Sequence, residues 1–300
     1  MTDPALKNKQ RYQQILDFIE RMPSLSTTVT KVLAVCNRPD TSPNDLNRVI
    51  SLDPVLTGQV LKLINSAYYS LPNRITTLTR AIIMLGPNTV KNLVLGTAAL
   101  AAVGRAESFK ALSINKFWTH SICVGVTAKA LAIQQGVSPV AREEFFVAGL
   151  LHDLGKVLLN HRFAEEYRLA LELTAREQGD LAQCEKSVLG VDHGLIGGMI
   201  ARKWQLSQNL IAALAGHHQP EMVPEGNRQL VATVALANVY ANVHDFGSAG
   251  DPYPNPQHLD LVLQLLALRW RDLEDLRQMV QAEIEKAQVF LRISHEGDKS

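Results

Sequence analysis

A chain of 300 residues with 46% hydrophobic side chains has material for one large domain or two fused ones. Its 30 basic and 29 acidic residues leave a net charge of +1, so no global field favours nucleic acid or an anionic membrane. Cys36, Cys123 and Cys184 stand far apart with no Cys-x-x-Cys pair. That argues against a disulfide framework or a thiolate zinc site and fits a reducing cytosol. The polar start MTDPALKNKQRYQQ has no signal-like apolar region. The most apolar stretch, 92–104, falls short of the roughly 20 residues a membrane helix needs. A cytoplasmic location is the expectation.

Helical periodicity dominates and strand signals are nearly absent, so the expected fold class is all-α. Residues 12–21 are amphipathic, with Ile15, Leu16, Phe18 and Ile19 on one side, and Met22-Pro23 ends them. A second helix covers 27–36, closed by Asn37-Arg38-Pro39-Asp40. Ser42 caps a third, with Pro43 in the first turn, where its missing N–H costs nothing. Asp53-Pro54 repeats the device for a fourth through Leu61 and Ile64. A fifth spans 77–85, Gly86-Pro87 breaks it, and a sixth runs to about Val103. Residues 104–115 read as a connector.

The second half continues with helices over 117–136, 142–151, 163–178, 184–188, 193–204, 207–217 and 229–243. A Gly/Pro-rich loop, 247–256, precedes two C-terminal helices at 258–267 and 273–290, and the tail 295–300 reads as frayed. No internal repeat or low-complexity tract is found. The expected organisation is two helical subdomains, 1–110 and 111–300.

The placement of the histidines carries the chemistry. His120 is predicted in the first turn of a helix. His152-Asp153 closes an apolar helix in the string GLLHDLGK, with Lys156 on a tight glycine-containing turn. His193 follows Asp192 at a helix start, and His217-His218 ends another helix. A bundle can aim helix ends at one internal point. Imidazole with carboxylate suits Fe, Zn, Mn or Ni, and an Asp beside a His can bridge metals or orient a water. A lone histidine on an apolar helix is more often a hydrogen-bonded core residue, so the His152-Asp153 doublet is the strongest signal. His161, His244, His258 and His295 flank loops and read as surface residues.

GLLHDLGK resembles the HD signature of the HD-domain metal phosphohydrolase superfamily, in which a His precedes a His-Asp doublet by about thirty residues. His120 and His152-Asp153 match those elements, and His193 and His217-His218 resemble the extra histidines of the HD-GYP branch, which hydrolyses cyclic di-GMP. Lys116 stands where that branch has a Glu, Asn238 where the superfamily has its last Asp, and no Gly-Tyr-Pro loop follows His217-His218. In the first half, MPSL at 22–25, SLDPVL at 51–56, LINSAYY at 63–69 and AIIMLG at 81–86 resemble the HDOD family, the HD-related output domain.

The resemblance implies an HD-like helical bundle in the second half. It also implies a bacterial regulatory output module that binds a signalling partner or small ligand, with a metal held by His120, His152, Asp153, His193, His217 and His218. Its alternative is a metal-dependent phosphohydrolase, with Asp153 and Lys156 in catalytic roles. From the residues alone, Lys156 pairs equally well with a substrate phosphate or with a carboxylate near the site. Asn65-Ser66 reads as a helix end, and Tyr68 and Tyr69 as packing between the two halves. A helix-turn-helix over 42–64 carries only Lys62 as a basic residue on its second helix, too little for phosphate contacts.

Overall fold

In a computed structural model the described residues are 4–36, 38, 40–103 and 109–290. The 295–300 tail lies outside them, as do Asn37 and Pro39 of the first predicted turn and part of the 104–115 connector. Every regular element among the described residues is helical. None of these helices is long and apolar enough to cross a membrane.

The first half comprises α1 (Pro4–Arg21), α2 (Thr27–Cys36), α3 (Pro43–Ile50), α4 (Pro54–Ile64), α5 (Leu78–Leu85) and α6 (Pro87–Val103). The boundaries follow local chemistry. Ser42 and Asp45 form a reciprocal capping box, and Asp53 and Thr77 accept from the third amide of their helices. The second half comprises α7 (Ile114–Gln134), α8 (Pro139–Leu151), α9 (Leu154–Arg162), α10 (Ala164–Glu177), α11 (Leu181–Leu189), α12 (His193–Lys203) and α13 (Gln208–Gly216). It continues through α14 (Glu225–Val243), α15 (Pro256–Leu266), α16 (Arg271–Glu274) and α17 (Leu276–Ala287).

Helix α9 is absent from the sequence reading, which took Gly155 as a turn former. Gly155 instead lies inside a helix packed so tightly on α12 that an added Cβ would meet the His193 carbonyl oxygen at 2.0 Å. It is a small residue for close approach, and Lys156 is helical. The 273–290 helix is also split, with α16 and α17 meeting at Asp275.

A continuous apolar core joins the halves, from Ile15 and Val32 through Leu93 and Val94 to Leu236 and Val280. Helix α1 packs on α12, and the contact extends on either side: Arg11 donates to the Val188 carbonyl of α11, and Trp204, at the end of α12, donates to the Pro23 carbonyl just beyond α1. At the junction, Tyr68 packs its ring on Phe146 and Phe290, with centroids 5.3 and 5.5 Å away. Lys129 of α7 donates to the Tyr68 hydroxyl at 3.2 Å and pairs with Glu143 of α8, which also accepts from Tyr69. Both tyrosines therefore pack where the two halves meet.

Candidate metal centre

Close helix approach assembles the site. Gly125 on α7 and Gly149 on α8 face each other, and a Cβ on Gly149 would lie 2.7 Å from the Gly125 Cα. Backbone-to-backbone contact there brings His120, five residues before Gly125, against His152, three residues after Gly149. Their ring centroids are 5.6 Å apart. His120 lies in the second turn of α7, because the helix starts at Ile114 under a Ser113 cap rather than at Phe117. His152 ends α8 and Asp153 opens α9. The Asp153 carboxylate caps nothing, which leaves it turned into the bundle. His193 opens α12 beneath the Asp192 cap, and His217-His218 follow the end of α13.

The six sequence-predicted ligands fall into two adjacent sets, His120–His152–Asp153 and His193–His217–His218, with ligand atoms inside each set within 4.8 Å of one another. Asp153 joins them. Its Oδ2 lies 3.3 Å from His152 Nε2 and 3.8 Å from His120 Nε2. Its Oδ1 lies 3.3 Å from His193 Nε2 and 3.8 Å from His217 Nε2. All but His218 are essentially buried.

The outer nitrogens of three rings are occupied by acceptors. His152 Nδ1 lies 2.7 Å from the Gly149 carbonyl oxygen, His217 Nδ1 lies 3.1 Å from that of Ala213, and His193 Nδ1 lies 2.7 Å from Glu185 Oε2. Each neutral ring then donates from Nδ1–H and aims the Nε2 lone pair inward, the arrangement typical of metal-binding histidines. Nε2 of His193 lies 2.8 Å from that of His218 and 3.3 Å from that of His217. Nitrogens about 2.0–2.1 Å from one tetrahedral ion are about 3.3 Å apart. Both ring nitrogens of His120 and Nε2 of His152 are buried with no hydrogen-bond partner, and the buried Asp153 carboxylate has the Lys156 ammonium 3.0 Å from Oδ2. Orphaned imidazole nitrogens gathered around a carboxylate in a dry interior are costly unless a cation satisfies them, so these residues fit a divalent metal.

The electrostatics agree with that donor set. Burial pushes the His120 pKa down to about 3, against the opposing pull of Asp153. Burial and the neighbouring imidazoles hold His217 and His218 well below the usual range. Burial also works against the charge on His193, but Glu185 overcomes it and raises that ring. Burial disfavours ionised Asp153, yet His152 and Lys156 hold it well below the usual carboxylate range. Lys156 is 1% exposed, and its Nζ stands 3.0 Å from Asp153 Oδ2.

Two acidic residues escaped the sequence reading. Glu185 is fully buried and accepts from both the backbone N–H and Nδ1 of His193. It sits four residues from Leu181 and from Leu189, so a carboxylate on an apolar helical stripe was the available signal. Asp251, in the 247–256 loop, accepts from the Leu181 amide, and burial pushes its pKa up to about 6 against the pull of Lys156. The same loop binds the start of α7, where Ser248 donates to the Lys116 carbonyl at 3.0 Å. Asn238 is buried beside His120, on whose pKa it acts. Of the histidines read as surface residues, His161, His244 and His258 are half-buried, and His295 lies outside the described residues. His244 stacks on Trp270 and packs at a tilt against Tyr240.

The sequence profile of the HDOD domain matches residues 22–220, a span running from the end of α1 past His218. The chain belongs to the HDOD family. A curated but uncharacterised protein of Treponema pallidum (strain Nichols) is 27% identical over 225 residues, covering 75% of this chain. The matched segment is 43% of that protein's length, so this chain aligns with less than half of its relative. An HDOD domain protein of unknown function from Geobacter sulfurreducens superposes with a TM-score of 0.71 at 24% identity, covering 95% of this chain and 99% of that one. A candidate phosphohydrolase from Shewanella amazonensis SB2B gives 0.67 at 24%, covering 94% and 97%. A candidate signal transduction protein from Marinobacter aquaeolei VT8 gives 0.71 at 18%, covering 98% and 66%. At these identities the likeness is one of fold: the HDOD fold is all-helical, and this chain has it.

Proposed function

We propose that this HDOD protein is a cytoplasmic regulatory module that binds a signalling partner or a small ligand. In this reading its second half holds one divalent transition metal, Fe, Zn, Mn or Ni, chiefly as a structural tie between α7, the α8–α9 junction, α12 and α13. The observation that carries the reading is the convergence of buried Nε2 lone pairs on Asp153. The charge count around that carboxylate favours a tie over a two-metal reaction centre. Asp153 is the sole carboxylate in the two ligand sets. Lys116 and Asn238 stand where the resemblance would place further anions, and the Lys156 ammonium already neutralises Asp153. A second divalent ion would add uncompensated charge to a dry site.

The alternative, a phosphohydrolase, draws on the buried Asp153–Lys156 pair and on the fold shared with candidate phosphohydrolases. A bound ion would there supply Lewis acidity and a water of lowered pKa. Asp153 would orient that water, and Lys156 would hold the charge of the site.

Elemental analysis of protein purified without chelator or affinity-column metal, joined to a phosphodiesterase screen, separates the two. The module predicts about one metal per chain with no turnover. It also predicts that His152→Ala lowers the melting temperature of the metal-loaded protein, because metal that binds only the folded state stabilises it by mass action. Metal-dependent turnover lost in Asp153→Ala would replace the module with the enzyme. A melting temperature unchanged by both chelator and His152→Ala would remove the structural metal.

A further inference from the structure

The first half contains an open groove of about 690 Å3, far along the chain from the histidines. Helix α4 forms one wall with Gly58, Leu61 and Lys62, and the 71–76 segment forms the other with Leu71, Asn73, Arg74 and Thr76. The wall is fixed by Asn65, the residue that ends α4. Its side chain accepts from the Ile75 amide at 2.7 Å and donates to the Ile75 carbonyl at 2.7 Å and to the Leu61 carbonyl at 2.8 Å. The other end of the same loop is held by Tyr68 and Tyr69 at the junction with α7 and α8. A segment pinned at both ends presents a preformed surface.

Among the described residues the lining has no carboxylate, and of its two cations Lys62 already has an interaction of its own while Arg74 stands open. The surroundings share that sign: residues 22–103 carry seven basic side chains against three acidic ones, in a chain of net charge +1. Arg74, Asn73 and Thr76 form no side-chain hydrogen bond or ion pair among the described residues, so their donors are available to a ligand. Leu61 and Leu71 add a half-buried apolar wall beside these donors. Pockets of roughly 300–1,000 Å3 with apolar walls and a few convergent polar groups are the usual form of a small-molecule site. A guanidinium's planar fork suits phosphate oxygens.

We propose that this groove binds a phosphorylated small molecule of nucleotide size, with Arg74, Asn73 and Thr76 on the phosphate and Leu61 and Leu71 against its apolar part. The site supplies the small-ligand input of the regulatory reading, but it requires nothing of the metal centre and can fail or hold independently of it.

The test uses the full chain, at low salt, titrated by two-dimensional NMR with adenosine 5′-monophosphate, inorganic phosphate and adenosine as probes. Saturable shifts are expected with the monophosphate at about millimolar concentration or below. Phosphate should bind at least about tenfold more weakly, and adenosine more weakly still. Arg74→Ala should weaken the monophosphate about tenfold through loss of a charge-assisted contact. Gly58→Leu should abolish binding by filling the groove. A Cβ at Gly58 meets no atom within 4 Å, so this variant should keep the wild-type melting temperature and metal content. No saturation with the monophosphate, or an affinity unchanged in both variants, overturns the proposal. Equal binding of phosphate and monophosphate, insensitive to Gly58→Leu, overturns it as well.

Discussion

The two candidate ligand sets sit side by side yet are built differently. In His120–His152–Asp153 the negative charge is inside the set, on Asp153, and Lys156 stands 3.0 Å from it. In His193–His217–His218 the set itself is neutral, and the carboxylate is one layer out, where Glu185 braces His193 from behind. A carboxylate inside a set can bind an ion directly. One placed behind an imidazole raises that ring's basicity and fixes its direction. The structure therefore divides between the two sets the jobs of supplying charge and supplying orientation, and the shared Asp153 connects them.

Acid should have the largest effect, and it acts on both sets. With metal removed, His120 titrates near pH 3 in the folded chain and near 6.5 unfolded, and His217 and His218 are lowered in the same direction. Between those values the unfolded chain holds more protons, so stability is full above about pH 6.5 and falls as pH drops towards 3. The loss should be of the order of several kcal/mol. His193 runs the other way: its raised pKa adds stability below about 6.5 that is lost as pH rises through the folded value. Urea midpoints of chelated protein at pH 7.5, 6 and 5 measure the balance. A flat series would mean that the rings are not desolvated in solution.

Gly155→Ala should come next. Its Cβ has nowhere to go but into the His193 carbonyl, so α9 and α12 must separate, at about 3 kcal/mol. Both sets should weaken together, because this contact holds Lys156 and Asp153 against His193. A variant with the wild-type urea midpoint and metal affinity would break the claim that the sets are mechanically joined.

Glu185→Gln is the smallest and most selective change. It keeps an acceptor for the His193 amide but removes the charge behind the ring. Metal affinity should fall roughly 10–100-fold by competition with a chromogenic chelator. An unchanged affinity would place the ion wholly in the Asp153 set.

The legible parts of the molecule were those written in local chemistry. Ser42-Pro43 and Asp53-Pro54 mark helix starts by capping and fixed backbone angle, and the structure uses both as caps. The ligand candidates other than His120 were legible because each stands at a helix end, where backbone and side chain both leave the cylinder, whereas His120 lies inside α7. Glu185 was hidden because its role depends on which face of α11 meets α12, a tertiary fact. Helix α9 was hidden because glycine has one local meaning and another in packing. At Gly155 the packing meaning wins, since proximity to the His193 carbonyl is a long-range constraint that no window around GLLHDLGK contains.

The depth of Asp153, His152 and His193, each at 0% exposure, also sets a tempo. An ion seated among them would leave only when the helices part, so its exchange with solvent would follow local opening rather than the concentration of any competitor outside. Such a centre, if metal-loaded, would work as a slow memory of the metal present when the chain folded, and would read poorly any later change in supply.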